Sequence, residues 1–209
     1  MKSKTRKINS MKNMKLLALV SLALPFMAGC ATSVIPTSYV EHPSAGGAQD
    51  MNLCWVEPGV KLSSFSNILV ESFATQAAVG VTPAITPAVL SAQLRDLLVA
   101  ELKAKGKNAV KDKLDLPTGA PYLVIKGNFA QINPGKRAVR YMIGFGAGRA
   151  LVDVESKVTE TGTGGTKLVA ELGASATKSM GVWGGSSDKF LDDCLVRISR
   201  LISQYVLSN

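Results

Sequence analysis

Two segments of the chain place apolar residues at steps of three and four, which is the spacing of one face of an α-helix. The first segment follows Thr86, which suits a helix N-cap, and Pro87, which suits the first helical position. It ends before Gly106, a residue type common just beyond helix C-termini. The second segment runs from Phe190 to Val206. The pattern therefore predicts one amphipathic helix in the middle of the chain and another near its end.

Four other segments predict β-strands. Three of them alternate apolar and polar residues, which indicates one face against the core and one face in water, as antiparallel sheets allow. The last two are joined by a loop rich in glycine and threonine at 161–166, which is typical of a β-hairpin. The predicted strands are 67–73, 122–132, 152–158 and 167–176.

The order of these elements predicts the fold class. A strand, a helix, a short strand, three further strands and a final helix follow one another along the chain. Two helices that cover one face of a mostly antiparallel sheet form an α+β, two-layer sandwich. The chain beyond its N-terminal segments suits one domain, which we place at residues 53–209.

Residues 1–29 have the organisation of a signal peptide. A basic stretch without acidic residues precedes an apolar run at 16–26, which is too short to span a bilayer. Six of the 24 basic residues of the chain lie in this segment. The other residues carry 18 basic and 15 acidic side chains, so the net charge of +9 does not indicate a nucleic-acid partner.

The segment 26–30 resembles the bacterial lipobox, in which small residues precede a cysteine at the end of the apolar run. The resemblance implies cleavage before Cys30, transfer of a diacylglycerol to its thiol and acylation of the new amino group, commonly with palmitate. Several acyl chains hold a protein on a membrane far better than one. Ala31 resembles the sorting residue of lipoproteins that reach the outer membrane. The alternative is an ordinary secretory signal peptide followed by a coincidental cysteine.

Residues 30–52 are small and polar, with prolines at positions 36 and 43, and predict a flexible tether between the lipid and the domain. His42 lies in this tether, so we expect its side chain to be solvated. It is the only histidine of the chain.

The residue types needed for catalysis do not assemble in the predicted domain. Because His42 lies in the tether, a Ser-His-Asp or Cys-His arrangement is not available inside the domain. Two carboxylate pairs, Asp153 with Glu155 and Asp192 with Asp193, are interpreted as surface charge. The first pair is expected on a strand face directed to solvent. We therefore predict no enzyme, no cofactor and no metal site.

Two further cysteines, Cys54 and Cys194, lie in a chain that is expected in an oxidising compartment. Cys194 belongs to the apolar stripe of the last helix, and Cys54 lies where the domain begins. They form either a disulfide bridge or two separate buried thiols, and the sequence leaves both alternatives open.

Glycine occupies every second position of the segment 144–148, and arginines flank it. The spacing does not match the G-x-G-x-x-G of a dinucleotide-binding loop, and a strand follows instead of a helix. Alternate glycines leave one face of a strand without side chains, so another backbone, an aromatic ring or a ligand can approach closely. The segment is a candidate binding surface, and a structural bulge or tight crossing is the alternative. The residues of the candidate surface are Arg137, Arg140, Gly144, Gly146, Gly148 and Arg149.

Two stretches of the chain together resemble a known family. Residues 58–70 contain P-G-V-x-L-S-x-F-x-N-I-L-V, and residues 127–148 contain G-x-F-x-x-I-x-P-G-x-R-A-x-R-x-x-I-G-F-G-A-G. They resemble the bacterial lipoproteins grouped as domain-of-unknown-function family 4410 (DUF4410), with the similarity covering about Cys54 to Val206. That family has no established activity, so the resemblance implies a fold and an envelope location but no catalytic residues.

These features predict a lipid-anchored protein on the periplasmic face of the outer membrane of a Gram-negative bacterium. We expect it to bind or help assemble another envelope protein or polymer, and not nucleic acid. The alternative is a subunit of an oligomeric ring or secretion-type pore. In a pore, Asp153, Glu155 and Lys157 would line the lumen.

Overall fold

The computed structural model of the protein describes residues 39–42, 51–75, 86–134, 150–178 and 187–209, without the side chains of Asn52, Ser187 and Asp188. All of these residues belong to one structural unit, Val34–Asn209. Cys30 and the candidate glycine-rich surface lie outside the described residues, so both stay predictions.

Strands and helices alternate in the described residues much as the sequence predicts. In chain order they are β1 (Met51–Val56), β2 (Asn67–Thr75), α1 (Pro87–Ala104), β3 (Asn108–Val110), β4 (Tyr122–Asn133), β5 (Ala150–Gly162), β6 (Gly165–Lys178) and α2 (Ser187–Ser208). Short 3-10 turns lie at Leu62–Ser64 and Lys113–Asp115. Both predicted helices and all four predicted strands are present, and β3 is the short strand after the first helix.

The strands form one sheet in the order β1-β6-β5-β4-β2-β3. β2 pairs in parallel with β3 and β4, and the other three pairings are antiparallel. The predicted α+β fold with a mostly antiparallel sheet is confirmed. β1 is a strand that the pattern did not predict, because a register shift between Met51 and Leu53 breaks its alternation.

Helix α1 forms because the residues at its N-terminus, along its apolar stripe and just beyond its C-terminus all favour a helix of this length. The Thr86 side chain accepts a hydrogen bond from the backbone N–H of Val89, and Pro87 takes the first helical position. Beyond the helix, Gly106 has a φ of 82°, a left-handed conformation that only glycine adopts without a Cβ penalty. The stripe that faces the sheet contains Leu90, Leu94, Leu98 and Leu102, all at most 2% exposed.

Both helices pack on the same face of the sheet, and one hydrophobic core joins them to it. Helix α2 supplies the core with Leu191, Leu195, Ile198, Ile202 and Val206. The sheet supplies alternate positions of its strands, such as Val152 and Val154 of β5. Burying each such side chain contributes about 1.5–3 kcal/mol. The opposite face of the sheet is free of helices among the described residues, and the candidate site lies there.

Candidate functional site

The sheet face turned away from the helices is polar on its central strands. We call it the polar face, and it comprises Asn128 of β4, Asp153, Glu155 and Lys157 of β5, and Glu171 and Ser175 of β6. Glu155 and Glu171 are each 0% exposed, and Asp153 is 5% exposed. The prediction that Asp153 and Glu155 point to solvent is therefore wrong. A pore lumen lined by these side chains is equally inconsistent with their burial.

A distant chain segment covers the Glu171 carboxylate. Residues Tyr39–His42, which we call the strap, contact the polar face, although Glu41 precedes Glu171 by 130 residues. The backbone N–H of Glu41 donates to both carboxylate oxygens of Glu171, at 2.9 and 3.0 Å. The backbone N–H of His42 donates to Oε2 of the same carboxylate at 2.6 Å. One buried carboxylate thus accepts two successive backbone N–H groups, the arrangement known as a nest.

The His42 ring adds two further contacts. Its Nδ1 lies 3.0 Å from Oε2 of Glu171 and donates to it. The ring also stacks on Trp55 of β1, with centroids 3.9 Å apart and planes inclined by 6°. These contacts fix the ring although 43% of the side chain is exposed. His42 is exposed, as expected, but the sequence did not indicate these contacts of its ring.

Lys157 links the strap to the polar face. Its Nζ lies 2.6 Å from a carboxylate oxygen of Glu41 and 3.6 Å from one of Glu171. The same Nζ lies over the Tyr39 ring, 5.5 Å from its centroid, which is within cation–π range. The hydrogen bond from Lys157 and its positive charge lower the pKa of Glu41.

The predicted tether is thus interrupted by ordered structure. The strap and residues 51–52, which belong to β1, contact the sheet, and the domain begins before residue 53. The other residues of 30–52 lie outside the described part of the chain, and their flexibility stays a prediction.

Burial changes the titration of groups on and near the polar face. Desolvation raises the pKa of the Tyr39 hydroxyl, and the charges of nearby glutamates add to this effect. Desolvation also raises the pKa of Asp153. The Ser175 hydroxyl, which donates to Asp153 at 2.5 Å, opposes that shift, and the charge of Glu155 adds to it. Asp153 is therefore more easily protonated than an exposed aspartate.

The favourable contacts of the strap are opposed by the conformational freedom that its residues lose on docking. A hydrogen bond to a charged group contributes about 1.5–3 kcal/mol. Fixing the backbone of each strap residue opposes docking by about 1–2 kcal/mol. One hydrogen bond to Glu171 therefore contributes a free energy similar in size to the cost of ordering one strap residue.

Cys54 and Cys194 are both free cysteines. The Cys54 thiol on β1 is hydrogen-bonded to the Tyr205 hydroxyl on α2. Tyr205 follows Cys194 by a helical rise of about 16 Å, whereas bridged cysteines have Cα atoms within about 7 Å. The candidate disulfide is therefore not formed, and the alternative of two separate thiols describes the structure.

A cavity of about 600 Å³ opens between β2 and the first half of α1. Arg95 is the charged side chain among its described lining residues. The Arg95 guanidinium donates to the carbonyl oxygen of Val70 at 2.7 Å and also to that of Lys111. These contacts fasten α1 to the sheet, so the guanidinium is already engaged.

Metal ligands and membrane-spanning helices are two further features that bear on function. Within the described ranges, no three histidine, cysteine or acidic residues could hold a metal ion together. No helix of the described part is both long enough and apolar enough to cross a membrane. What the polar face and the neighbouring Trp55 offer chemically is a carboxylate, an ammonium group and an indole ring that together hold a segment of peptide chain.

Comparisons with known proteins give one family and several similar structures. The model of the family described as "Domain of unknown function (DUF4410)" matches residues 71–185, more than half of the chain. No curated protein matches the chain.

Three solved structures illustrate the similarity. The PelC dodecamer from Paraburkholderia phytofirmans is 15% identical, with a TM-score of 0.48 over 73% of this chain and 96% of that one. Protein XCC0632 from Xanthomonas campestris, of family DUF330, is 14% identical, with a TM-score of 0.42 over 68% and 85%. A minor lipoprotein from Acinetobacter baumannii is 10% identical, with a TM-score of 0.34 over 70% and 95%. At these scores the similarities support no argument about function.

Proposed function

The chain belongs to the DUF4410 family, and from that premise we propose that it is a lipid-anchored binding or assembly module of the bacterial envelope. Cys30 would carry the lipid, and the domain would lie on the periplasmic face of the outer membrane. Its partner would be another envelope protein or polymer.

The docked strap is the observation that carries this proposal. Tyr39 follows Cys30 by nine residues, and an extended chain of that length reaches at most about 30 Å. Because the strap is fixed on the polar face through Glu171, a lipid on Cys30 would hold the domain next to the bilayer. A domain held close to a membrane suits a role in binding or assembly there.

We propose binding rather than catalysis because the one imidazole of the chain is already engaged. His42 donates to Glu171 through Nδ1 and stacks on Trp55, and in the described residues no serine, threonine or cysteine is hydrogen-bonded to its ring as a nucleophile would be. The buried Glu171 carboxylate is likewise engaged, because it accepts from the backbone of the strap.

Position-specific photo-crosslinking in living cells tests the binding role. A photoreactive residue replaces Gly146 in the candidate glycine-rich surface, and a second variant carries it at Gly164 in the β5–β6 turn as a matched control. Adducts with an envelope component from position 146, in clear excess over position 164, are the expected result. Equal adducts from both positions, or none from position 146, would contradict the proposal.

A ring of subunits is the alternative that one observation favours. In the described residues, β1 and β3 are the edge strands of the sheet, and each pairs on one side. Edge strands can pair between copies, and a head-to-tail contact closes into a ring or extends into a filament. Measuring the mass of the purified protein at high concentration distinguishes a ring of subunits from a single binding module. A strict monomer would contradict the ring.

A further inference from the structure

We propose that Glu171, Lys157 and Trp55 form a binding site for a short, bent peptide segment, and that the strap is its resident ligand in exchange between docked and released forms. The contacts of Glu171, Lys157 and Trp55 with the strap support the peptide site independently of any lipid anchor. Only its consequence at the membrane rests on the proposed function.

The chemistry of the contact is that of peptide recognition. Glu171 accepts the backbone N–H groups of Glu41 and His42, a form of recognition that any non-proline residue can supply. The indole of Trp55 adds selectivity, because it offers a flat apolar surface to a ring. Lys157 adds a charge that favours an acidic side chain, as its 2.6 Å contact with Glu41 shows. The site therefore suits a short, bent segment in which an acidic residue precedes a ring-bearing one.

The strap can leave this site without opening the core. None of its four residues belongs to the hydrophobic clusters of the domain. The side chains of Glu41 and His42 are 65% and 43% exposed. Val40 is the buried apolar residue of the strap, at 8% exposure. Release would uncover Glu171 and leave the packing of helices on the sheet intact.

Release of the strap also changes the length of the tether. With the strap docked, nine residues separate Cys30 from Tyr39, a reach of at most about 30 Å. With the strap released, the next contact with the sheet in the described residues is at Met51, and the 21 residues from Cys30 to Met51 reach at most about 70 Å. Occupancy of the Glu171 site therefore sets how far a lipid-anchored domain extends from its membrane.

A peptide in trans tests the site directly. The probe is a labelled peptide with the sequence of residues 37–44 of this chain, which contains the strap. The host is the full chain carrying Glu41→Pro and His42→Pro, because proline has no N–H to donate and so weakens the resident strap. We expect saturable binding of the peptide to this host, and binding at least about tenfold weaker to the wild-type chain, whose own strap competes at high effective concentration.

Variants of the site distinguish the loss of peptide binding at Glu171 from a general effect of substitution on the protein. Adding Glu171→Gln to the host should weaken peptide binding at least about tenfold. Adding Glu57→Gln should leave it unchanged, because Glu57 pairs with Lys167 beside β1, away from the strap contacts. Trp55→Leu, which removes the ring but keeps apolar bulk, serves as a second site variant if Glu171→Gln does not fold. Circular dichroism reports folding for each protein.

Two outcomes would overturn the inference. One is the absence of saturable binding to the host at millimolar peptide. The other is equal binding to folded hosts with and without the site substitution. Neither readout involves Cys30, so an absent lipid anchor would contradict the proposed function without affecting this test.

Discussion

Gly127 of β4 lies directly beneath Phe73 of β2. A Cβ at this position would lie 2.4 Å from two ring carbons of Phe73 and 2.7 Å from the carbonyl oxygen of Glu155. The ring and the backbone are both held in the sheet, so neither can move aside without strain. We expect Gly127→Ala to lower the free energy of unfolding by about 1–3 kcal/mol, as overpacking does, measured by urea denaturation.

Gly164 in the β5–β6 turn provides the matched control for that substitution. A Cβ there would have nothing within 4 Å, so Gly164→Ala should change the free energy of unfolding by less than about 0.5 kcal/mol. Phe73→Leu in the Gly127→Ala background should recover part of the loss. Equal effects of the two alanine substitutions would contradict the close packing of Phe73 on Gly127.

The raised pKa of Asp153 predicts that the free energy of unfolding depends on pH. Because burial raises its pKa, the folded chain holds this proton more tightly than the unfolded chain. The contribution of Asp153 to stability is thus fully present below its unfolded pKa of about 3.9, and it is lost as the pH rises through the raised folded pKa. Asparagine carries no charge and can still accept from Ser175.

We therefore expect Asp153→Asn to be more stable than the wild type at pH 7, with the difference shrinking toward pH 4. Urea unfolding at several pH values measures this difference. Asp115→Asn, at an exposed position, is the control and should show little difference at any pH. A difference that grows as the pH falls would contradict the burial of an aspartate at position 153.

The helices and the β5–β6 hairpin could be predicted because each is determined by residues that lie close together in the chain. Capping and the leucine stripe identify α1, and alternation with a glycine-rich turn identifies β5 and β6. β1 was not predictable because it is an edge strand with a register shift.

The pairing of Lys157 with Glu171 could not be predicted by counting residues back from the β5–β6 turn. Regular pairing from the turn, where Gly162 faces Gly165, would place Lys157 opposite Ala170. A register shift between Val158 and Thr159 moves it opposite Glu171 instead. The central contact of the candidate site therefore depends on one bulge that the residue pattern does not reveal.

The two cysteines report on the packing of β1 against α2. Burial raises the pKa of the Cys194 thiol to about 11, so about one thousandth of it is ionised at pH 8. Cys54 is partly exposed, and burial raises its pKa too, although the Tyr205 hydrogen bond opposes this. In the full chain with Cys30→Ala, a thiol reagent should modify Cys54 first and Cys194 only after denaturation.

The same protein distinguishes free thiols from a bridge. Two thiols should titrate in denaturant without reductant, and reduced and unreduced samples should migrate equally on a gel. The Cys54→Ala variant should lose the faster reaction with the thiol reagent, which would assign that reaction to Cys54. A chain with no titratable thiol in denaturant would contradict the separation of Cys54 from Cys194 along α2.

At the scale of the whole molecule, two points of attachment lie close together in the chain. One is the predicted lipid on Cys30, and the other is the strap on Glu171. The sequence predicted the first from a local motif. It could not predict the second, because the strap and its carboxylate lie about 130 residues apart and nothing in either segment alone indicates the pairing.

Metabolic labelling with palmitate tests the central claim, the lipid anchor, most directly. Cells produce the wild-type chain, Cys30→Ala, or Cys54→Ala as the matched cysteine control, and label is measured in each purified protein. We expect label in the wild type and in Cys54→Ala, and none in Cys30→Ala. Undiminished label in Cys30→Ala, or no label in the wild type, would contradict the lipid anchor.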